Sequence, residues 1–209
     1  MPEATRIRIV TADDHPLLRE GVAAVINDQP DMVVVSEACT GRGALEAYRQ
    51  HRPEVILMDV RMPDMNGIEA IRKIREEFPD ARIVVLTTYA GDAQALAALK
   101  AGAAGYLLKS MLRKDLLDTI RCVHGGKRRV PPEIAAQIAE HAADDALTER
   151  EIDVLRRVGT GHSNKQIAVQ LGITEGTVKA HLKSILPKLG ARDRTHAVMI
   201  AVKRGILEV

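Results

Sequence analysis

Aromatic residues are scarce: no Trp, one Phe and three Tyr, 2% of 209 residues. The cores must therefore be aliphatic, and a stacking platform for single-stranded nucleic acid is all but excluded. Cysteine is as rare. Cys39 and Cys122 stand far apart with no CxxC, which excludes a cysteine-rich zinc module and a disulfide scaffold. No stretch approaches the ~20 apolar residues of a membrane-spanning helix. The opening Met1-Pro2-Glu3-Ala4-Thr5-Arg6 has no hydrophobic signal core behind it. A soluble cytoplasmic protein with no membrane partner is the expectation. Net charge is small too, +2 overall, but it is unevenly spread. Residues 1–125 carry sixteen basic and eighteen acidic side chains, and residues 126–209 carry fourteen and ten. An acidic front and a basic back predict two units, the second facing a polyanion.

The front half alternates short apolar runs with helical patterns. Strands are predicted at Ile7–Thr11, Val33–Ala38, Val55–Met58, Ile83–Thr87 and Tyr106–Leu108. Helices follow at Pro16–Asn27, Gly43–His51, Ile68–Phe78, Asp92–Ala101 and about Met111–His124. A strand apolar at every position, such as Ile83-Val84-Val85-Leu86, fits a sheet covered on both faces. Five strand-helix repeats predict an α/β fold with a doubly wound five-stranded parallel sheet. Its site should lie beyond the carboxyl ends of the strands, near the switch in strand order. The basic, turn-rich Gly125–Pro132 marks a boundary, and Glu133–His141 reads as a short helix. From Leu147 onward only helical periods occur, opened by Thr148, Ser163, Thr174 and Asp193 or Arg194.

The strand ends are polar. Asp13 and Asp14 follow the first strand, Asp59 the third, Thr87 and Thr88 end the fourth, and Lys109 follows the fifth. In a parallel sheet they converge on one rim. Three carboxylates crowded together repel one another and require a cation. With oxygen ligands, Mg2+ is the natural choice. A carboxylate beside Mg2+ and a lysine, with a hydroxyl nearby, suits phosphoryl transfer, in which an Asp attacks and the cations neutralise the equatorial oxygens. The plain alternative is that Asp13 and Asp14 merely cap the first helix.

Asp13-Asp14-His15-Pro16, Asp59-Val60-Arg61-Met62-Pro63-Asp64-Met65-Asn66-Gly67, Leu86-Thr87-Thr88 and Gly105-Tyr106-Leu107-Leu108-Lys109 together resemble the signatures of two-component receiver domains. The resemblance covers residues 1–124 and implies a flavodoxin-like receiver. It implies Asp59 as phosphoacceptor from a sensor histidine kinase. It implies Mg2+ bound by Asp13 (mostly through water), Asp14, Asp59 and the backbone carbonyl of Arg61. Thr87 and Lys109 would contact the phosphoryl group, and Tyr106 would turn inward when Thr87 moves. Tyr106 is otherwise read as a half-buried strand aromatic. Arg61 and Tyr89 occupy positions that tune phosphoryl lifetime in that family. His15 is read as a loop residue outside the ligand set. Ser110 replaces the proline many receivers have after the lysine, so a cis peptide there is not expected.

In the back half, Val178, Leu182, Ile185, Leu186 and Leu189 form one stripe at 100° per residue. Opposite lie Gly176, Ala180, Lys183, Ser184 and Pro187, with Lys179 at the edge: a small, basic face. A preceding helix joined by the tight Gly172-Ile173 turn completes a helix-turn-helix pattern. Residues 146–209 carry eleven basic and six acidic side chains, which sharpens the pattern toward duplex DNA. Leu147-Thr148-Glu149-Arg150-Glu151, Ser163–Ala168, Thr177–Leu182 and Lys188–Thr195 resemble the LuxR-type helix-turn-helix. Receiver plus this module resembles the NarL/FixJ-type response regulators. By that likeness Lys179, Ala180 and Lys183 face base edges, and Lys165, Thr174 and Thr177 hold phosphates. The last helix, with Ala197, Val198, Ile200 and Ala201, either forms a dimer surface or packs only on its own domain. Pro187 is expected to kink or end the recognition helix.

The domains implied are a receiver at 1–124, a linker with a short helix at 125–145, and a DNA-binding domain at 146–209. The function implied is phosphorylation-coupled homodimerisation that controls DNA binding and transcription, with RNA polymerase as a further partner. The dimer face is left open between the fourth-helix/fifth-strand/fifth-helix surface and the first and fifth helices. An enzyme is not expected. Asp59-Val60-Arg61 lacks the second Asp that aspartyl-phosphate hydrolases commonly use, and no GxxxxGK[ST] loop is present. A scaffold that has lost the chemistry is disfavoured by the complete Asp-Asp, Asp, Thr, Lys set.

Overall fold

The computed structural model describes residues 6–88, 91–141 and 146–207. They divide into two compact units, one of residues 6–88 with 95–132 and one of 91–94 with 133–141 and 146–207. The first holds a fully parallel five-stranded sheet in the order β2-β1-β3-β4-β5. Its strands are β1 (Ile7–Ala12), β2 (Met32–Ala38), β3 (Val55–Asp59), β4 (Ile83–Thr87) and β5 (Gly105–Leu108). The crossover helices are α1 (Pro16–Asn27), α2 (Gly41–His51), α3 (Gly67–Glu77) and α4 (Asp92–Ala101), and α5 (Leu112–His124) follows β5. The α/β expectation therefore holds, with β1, β2, β3 and β5 each one residue longer than read and a 3-10 turn at Lys109–Met111 before α5.

Alternation along the strands decides the two faces. Ile7, Ile9, Leu57, Val84, Leu86 and Leu107 point to one side, where α1 (Val22, Ile26) and α5 (Leu116, Ile120, Val123) bury them. Val10, Ile56, Met58, Ile83 and Val85 point to the other and are equally buried. Each buried aliphatic side chain stabilises the fold by about 2 kcal/mol relative to exposure, and no aromatic core is needed. The strand order reverses between β1 and β3. Ala12 pairs with Met58, Asp59 with Leu86 and Thr87 with Leu108, so the residues that end these strands share one rim.

The second unit is helical: α6 (Pro132–Glu140), α7 (Glu149–Gly159), α8 (Asn164–Leu171), α9 (Glu175–Lys188) and α10 (Arg194–Lys203). Thr148 and Ser163 open α7 and α8 with reciprocal capping boxes to Glu151 and Gln166, and Thr174 and Asp193 cap α9 and α10. Val154, Leu155, Ile167, Val178, Ile185, Ala197 and Ala201 make its core. Pro187 does not stop α9 before its end: the helix runs one residue beyond it. Gly190, at φ +60°, then closes it, with Ala191 N–H donating to the Leu186 carbonyl (2.8 Å) and Gly190 N–H to that of Pro187 (3.1 Å).

Candidate functional site

At the rim of the sheet Asp13, Asp59 and Thr87 are each no more than 3% exposed. Lys109, in the 3-10 turn after β5, points its Nζ between two carboxylates, 2.7 Å from Asp59 Oδ2 and 2.7 Å from Asp13 Oδ2. The Arg61 N–H donates to Asp59 Oδ1 at 3.3 Å. Burial raises the Asp59 carboxyl above the ordinary aspartate range, Lys109 pulls against that, and Asp13 adds to the rise. One ammonium is shared by two buried carboxylates, and Asp14 adds a third on the solvent side. Ligand atoms of Asp13, Asp14, His15 and Asp59 lie within 4.8 Å of one another, a grouping that can hold a metal ion. Three of the four are carboxylates, which suits a hard divalent cation.

His15 lies in the loop after β1, as read, and it contacts the acidic pair. It sits at the N-cap of α1, and its Nδ1 is 2.7 Å from Asp14 Oδ1 and 3.2 Å from Asp13 Oδ1. Its own N–H donates to Asp13 Oδ1 at 2.9 Å. The ring therefore leans over the acidic pair.

The backbone around the site is fixed by close approach. Asn66 caps α3, and Gly67 N–H donates to the Val60 carbonyl at 2.9 Å. A Cβ on Gly67 would stand 2.0 Å from the Asp59 carbonyl oxygen, so only glycine lets α3 begin there. Arg19 is a contributor that sequence reasoning missed. Its Nη1 donates to the Asp13 carbonyl at 2.7 Å and its Nε to Glu37 at 3.0 Å, tying the end of β1 in place. Only its place on the sheet-facing side of α1 could have signalled it.

Tyr106 is wholly buried, not half-buried. Burial pushes its hydroxyl up to about 12, against a hydrogen bond with the Thr87 side chain. The pair links the rim to the interior of β5. Tyr89 lies outside the described residues. The peptide after Lys109 is trans, as Ser110 in place of proline led one to expect.

In the helical unit, Gly176, Lys179, Ala180, Lys183 and Pro187 are exposed along α9, as is Lys165 on α8. Thr174 is exposed and Thr177 half-buried, with their hydroxyl oxygens 2.8 Å apart at the helix start. Ser184 is a correction: it is not part of the outer face. Its hydroxyl donates to Glu151 Oε1 at 2.7 Å, and Lys188 Nζ donates to Glu151 Oε2 at 2.8 Å. In the last helix Ala197 and Ala201 are wholly buried in their own core, and Val198 and Ile200 are half-buried. The exposed apolar side chain of α10 is Met199, at 65%.

Two family profiles match the chain: "Response regulator receiver domain" over residues 9–121 and "Bacterial regulatory proteins, luxR family" over residues 145–201. The chain is 41% identical to the transcriptional regulatory protein YxjL of Bacillus subtilis, covering 97% of this chain and 98% of that one. Among solved structures it resembles the response regulator ChrA of a heme-sensing two-component system, at 35% identity and TM-score 0.58, covering 97% and 99%. It also resembles RcsB of Salmonella enterica serovar Typhimurium, solved on promoter DNA with a phosphomimetic, at 25% identity and TM-score 0.73, covering 95% and 99%.

Proposed function

The chain belongs to the response regulators that join a receiver domain to a LuxR-type helix-turn-helix, and from that premise we propose that Asp59 accepts a phosphoryl group that controls DNA binding. The observation that carries this reading is Lys109 Nζ at 2.7 Å from both Asp59 and Asp13. A buried carboxylate already facing a cation is a nucleophile whose phosphorylated form has a charge partner waiting. A carboxylate oxygen of Asp59 attacks the phosphorus of a sensor kinase's phosphohistidine. The P–N bond breaks, the imidazole leaves with its electron pair, and an acyl phosphate remains. Asp13, Asp14, Asp59 and the Arg61 carbonyl would hold Mg2+, which when bound screens the charge on the phosphoryl oxygens. Lys109 pairs with one phosphoryl oxygen and Thr87 donates its hydroxyl to another. Thr87 is hydrogen-bonded to Tyr106, so its turn toward the phosphoryl group makes Tyr106 the next element to respond.

The output lies in residues 146–209, beyond a receiver at 1–124 and a linker at 125–145. Lys179, Ala180 and Lys183 meet base edges in the major groove, and Lys165, Thr174 and Thr177 meet phosphates. Two phosphorylated copies pair so that their α9 helices read half-sites ~34–36 Å apart. The protein works in the cytoplasm, with RNA polymerase as the downstream partner. Incubating the full chain with Mg2+ and acetyl phosphate and measuring intact mass tests the first step. One added phosphoryl group is expected, and it should be missing in Asp59→Asn. Labelling that persists in the variant moves the acceptor elsewhere.

A further inference from the structure

The last turn of α9 lacks one of its own main-chain bonds. Pro187 has no N–H, so the Lys183 carbonyl loses its intrahelical donor, one turn from the end. The two residues that flank this defect, Ser184 and Lys188, are four apart and share one side of the helix. Both reach the same carboxylate. Glu151, 4% exposed in the first turn of α7, accepts from Ser184 Oγ at 2.7 Å and from Lys188 Nζ at 2.8 Å. Thr148 anchors it within its own helix start, its N–H donating at 2.8 Å to Oε2, the oxygen that Lys188 also reaches. Burial alone pushes the Glu151 carboxyl up, yet the bonds from Lys188, Thr148 and Ser184 outweigh it and bring the group to about 2. The anion is thus firmly held where a lone buried carboxylate would be costly.

We propose that Glu151 is a positioning residue for DNA reading: anchored on α7, its carboxylate grips α9 on both sides of Pro187 and fixes the rotation of the face that carries Lys179, Ala180 and Lys183. The proposal rests on the DNA reading given above. Lys183 is adjacent to Ser184 in the chain, so a roll of the last turn moves the Lys183 side chain directly. Recognition geometry tolerates only about half an ångström of such movement. Lys188 serves this grip from inside, with its side chain 20% exposed, and is not one of the outward cations.

The test uses the full chain, treated with acetyl phosphate and Mg2+, and a duplex that the wild-type protein selects from a random pool. The readout is the affinity ratio of the selected to a scrambled duplex, measured across salt concentration. Glu151→Gln and Lys188→Met should lower the ratio roughly tenfold, and Lys188→Arg should retain it. The salt slope of Lys188→Met should match wild type, because a grip inside the protein releases no counterion. Pro187→Ala restores the missing N–H, so the double variant Pro187→Ala/Lys188→Met should recover most of the lost ratio. If Glu151→Gln fails to fold, Ser184→Ala and Lys188→Met carry the same comparison. An unchanged ratio in the variants overturns the proposal. So does a salt slope reduced by about one in Lys188→Met, which would make Lys188 a phosphate contact. No recovery in the double variant also overturns it. A wild-type chain that selects no duplex overturns the DNA reading itself, a result distinct from these.

Discussion

The buried hydroxyl of Tyr106 is hydrogen-bonded to the side chain of Thr87, the residue that ends the strand next to Asp59. Thr87 therefore has two claims on its single hydroxyl: the aromatic behind it and an incoming phosphoryl oxygen in front. A hydroxyl donates one proton and accepts through its lone pairs, so a new anion takes the proton of Thr87 and leaves Tyr106 an acceptor oxygen whose position shifts with the Thr87 rotamer. This gives the acidic rim a physical route into β5.

Removing one end of that bond should separate chemistry from response. Tyr106→Phe keeps the ring volume and is expected to cost about 1 kcal/mol of stability. Its labelling by acetyl phosphate should match wild type, while the change in DNA affinity on phosphorylation should shrink. Intact mass and fluorescence anisotropy check the two halves. An unaltered DNA response would remove this bond from the route.

Gly67 should tolerate no side chain. A Cβ 2.0 Å from the Asp59 carbonyl oxygen meets the Asp59–Val60 main chain, which cannot swing away as a side-chain tip would. Gly67→Ala is expected to lose roughly 3 kcal/mol in urea unfolding and to slow labelling of Asp59, because α3 must back off from β3. Gly126→Ala, whose added Cβ meets nothing within 4 Å, is the comparison for pure backbone strain.

Glu151 should impose an acid limit on the helical unit. Its folded value, about 2, lies below the ordinary 4.5. The stabilisation is therefore fully present above pH 4.5 and is lost as pH falls from there toward 2, on the order of 3 kcal/mol in all. The gap in urea midpoint between wild type and Glu151→Gln should be widest near neutrality and close steadily below pH 4.5. A gap independent of pH would mean that the carboxylate charge contributes nothing.

Lys183 and Lys165 should differ in kind. Lys183→Ala is expected to weaken the preferred duplex by ~1–3 kcal/mol and to relax preference at one base position. Lys165→Ala should weaken all duplexes alike and reduce the salt slope by about one. Titrations over a salt series against preferred and scrambled duplexes distinguish them. Equal behaviour of the two variants would contradict the assigned roles.

The fold was legible because its strands and caps are written locally. Ile83–Leu86 is apolar throughout, as a doubly covered strand must be, and Thr148, Ser163 and Thr174 announce helix starts by their hydroxyls. The convergence of Asp13, Asp59, Thr87 and Lys109 followed from parallel topology, which puts successive strand ends on one rim. What escaped depends on contacts far apart in sequence. Ser184 lies at the edge of its helical stripe, and only Glu151, 33 residues away, decides that it turns inward. In α10 the run Ala197-Val198-Met199-Ile200-Ala201-Val202 is apolar on every side, so periodicity could not tell the buried Ala197 and Ala201 from the exposed Met199. Arg19 bonds a carbonyl, and a main-chain acceptor leaves no mark in the sequence.

The central claim is that a phosphoryl group on Asp59 sets the affinity for DNA. The most direct measurement titrates a duplex selected by the protein with wild type and with Asp59→Asn, each before and after acetyl phosphate and Mg2+. Sedimentation of the same four samples gives the oligomeric state. Wild type should bind more tightly after treatment and gain a dimer, by the few kcal/mol of differential binding that any population shift requires, while Asp59→Asn should change in neither respect. A wild type that takes up the phosphoryl group yet keeps its affinity and its mass, or an Asp59→Asn variant that responds as wild type does, would contradict the account.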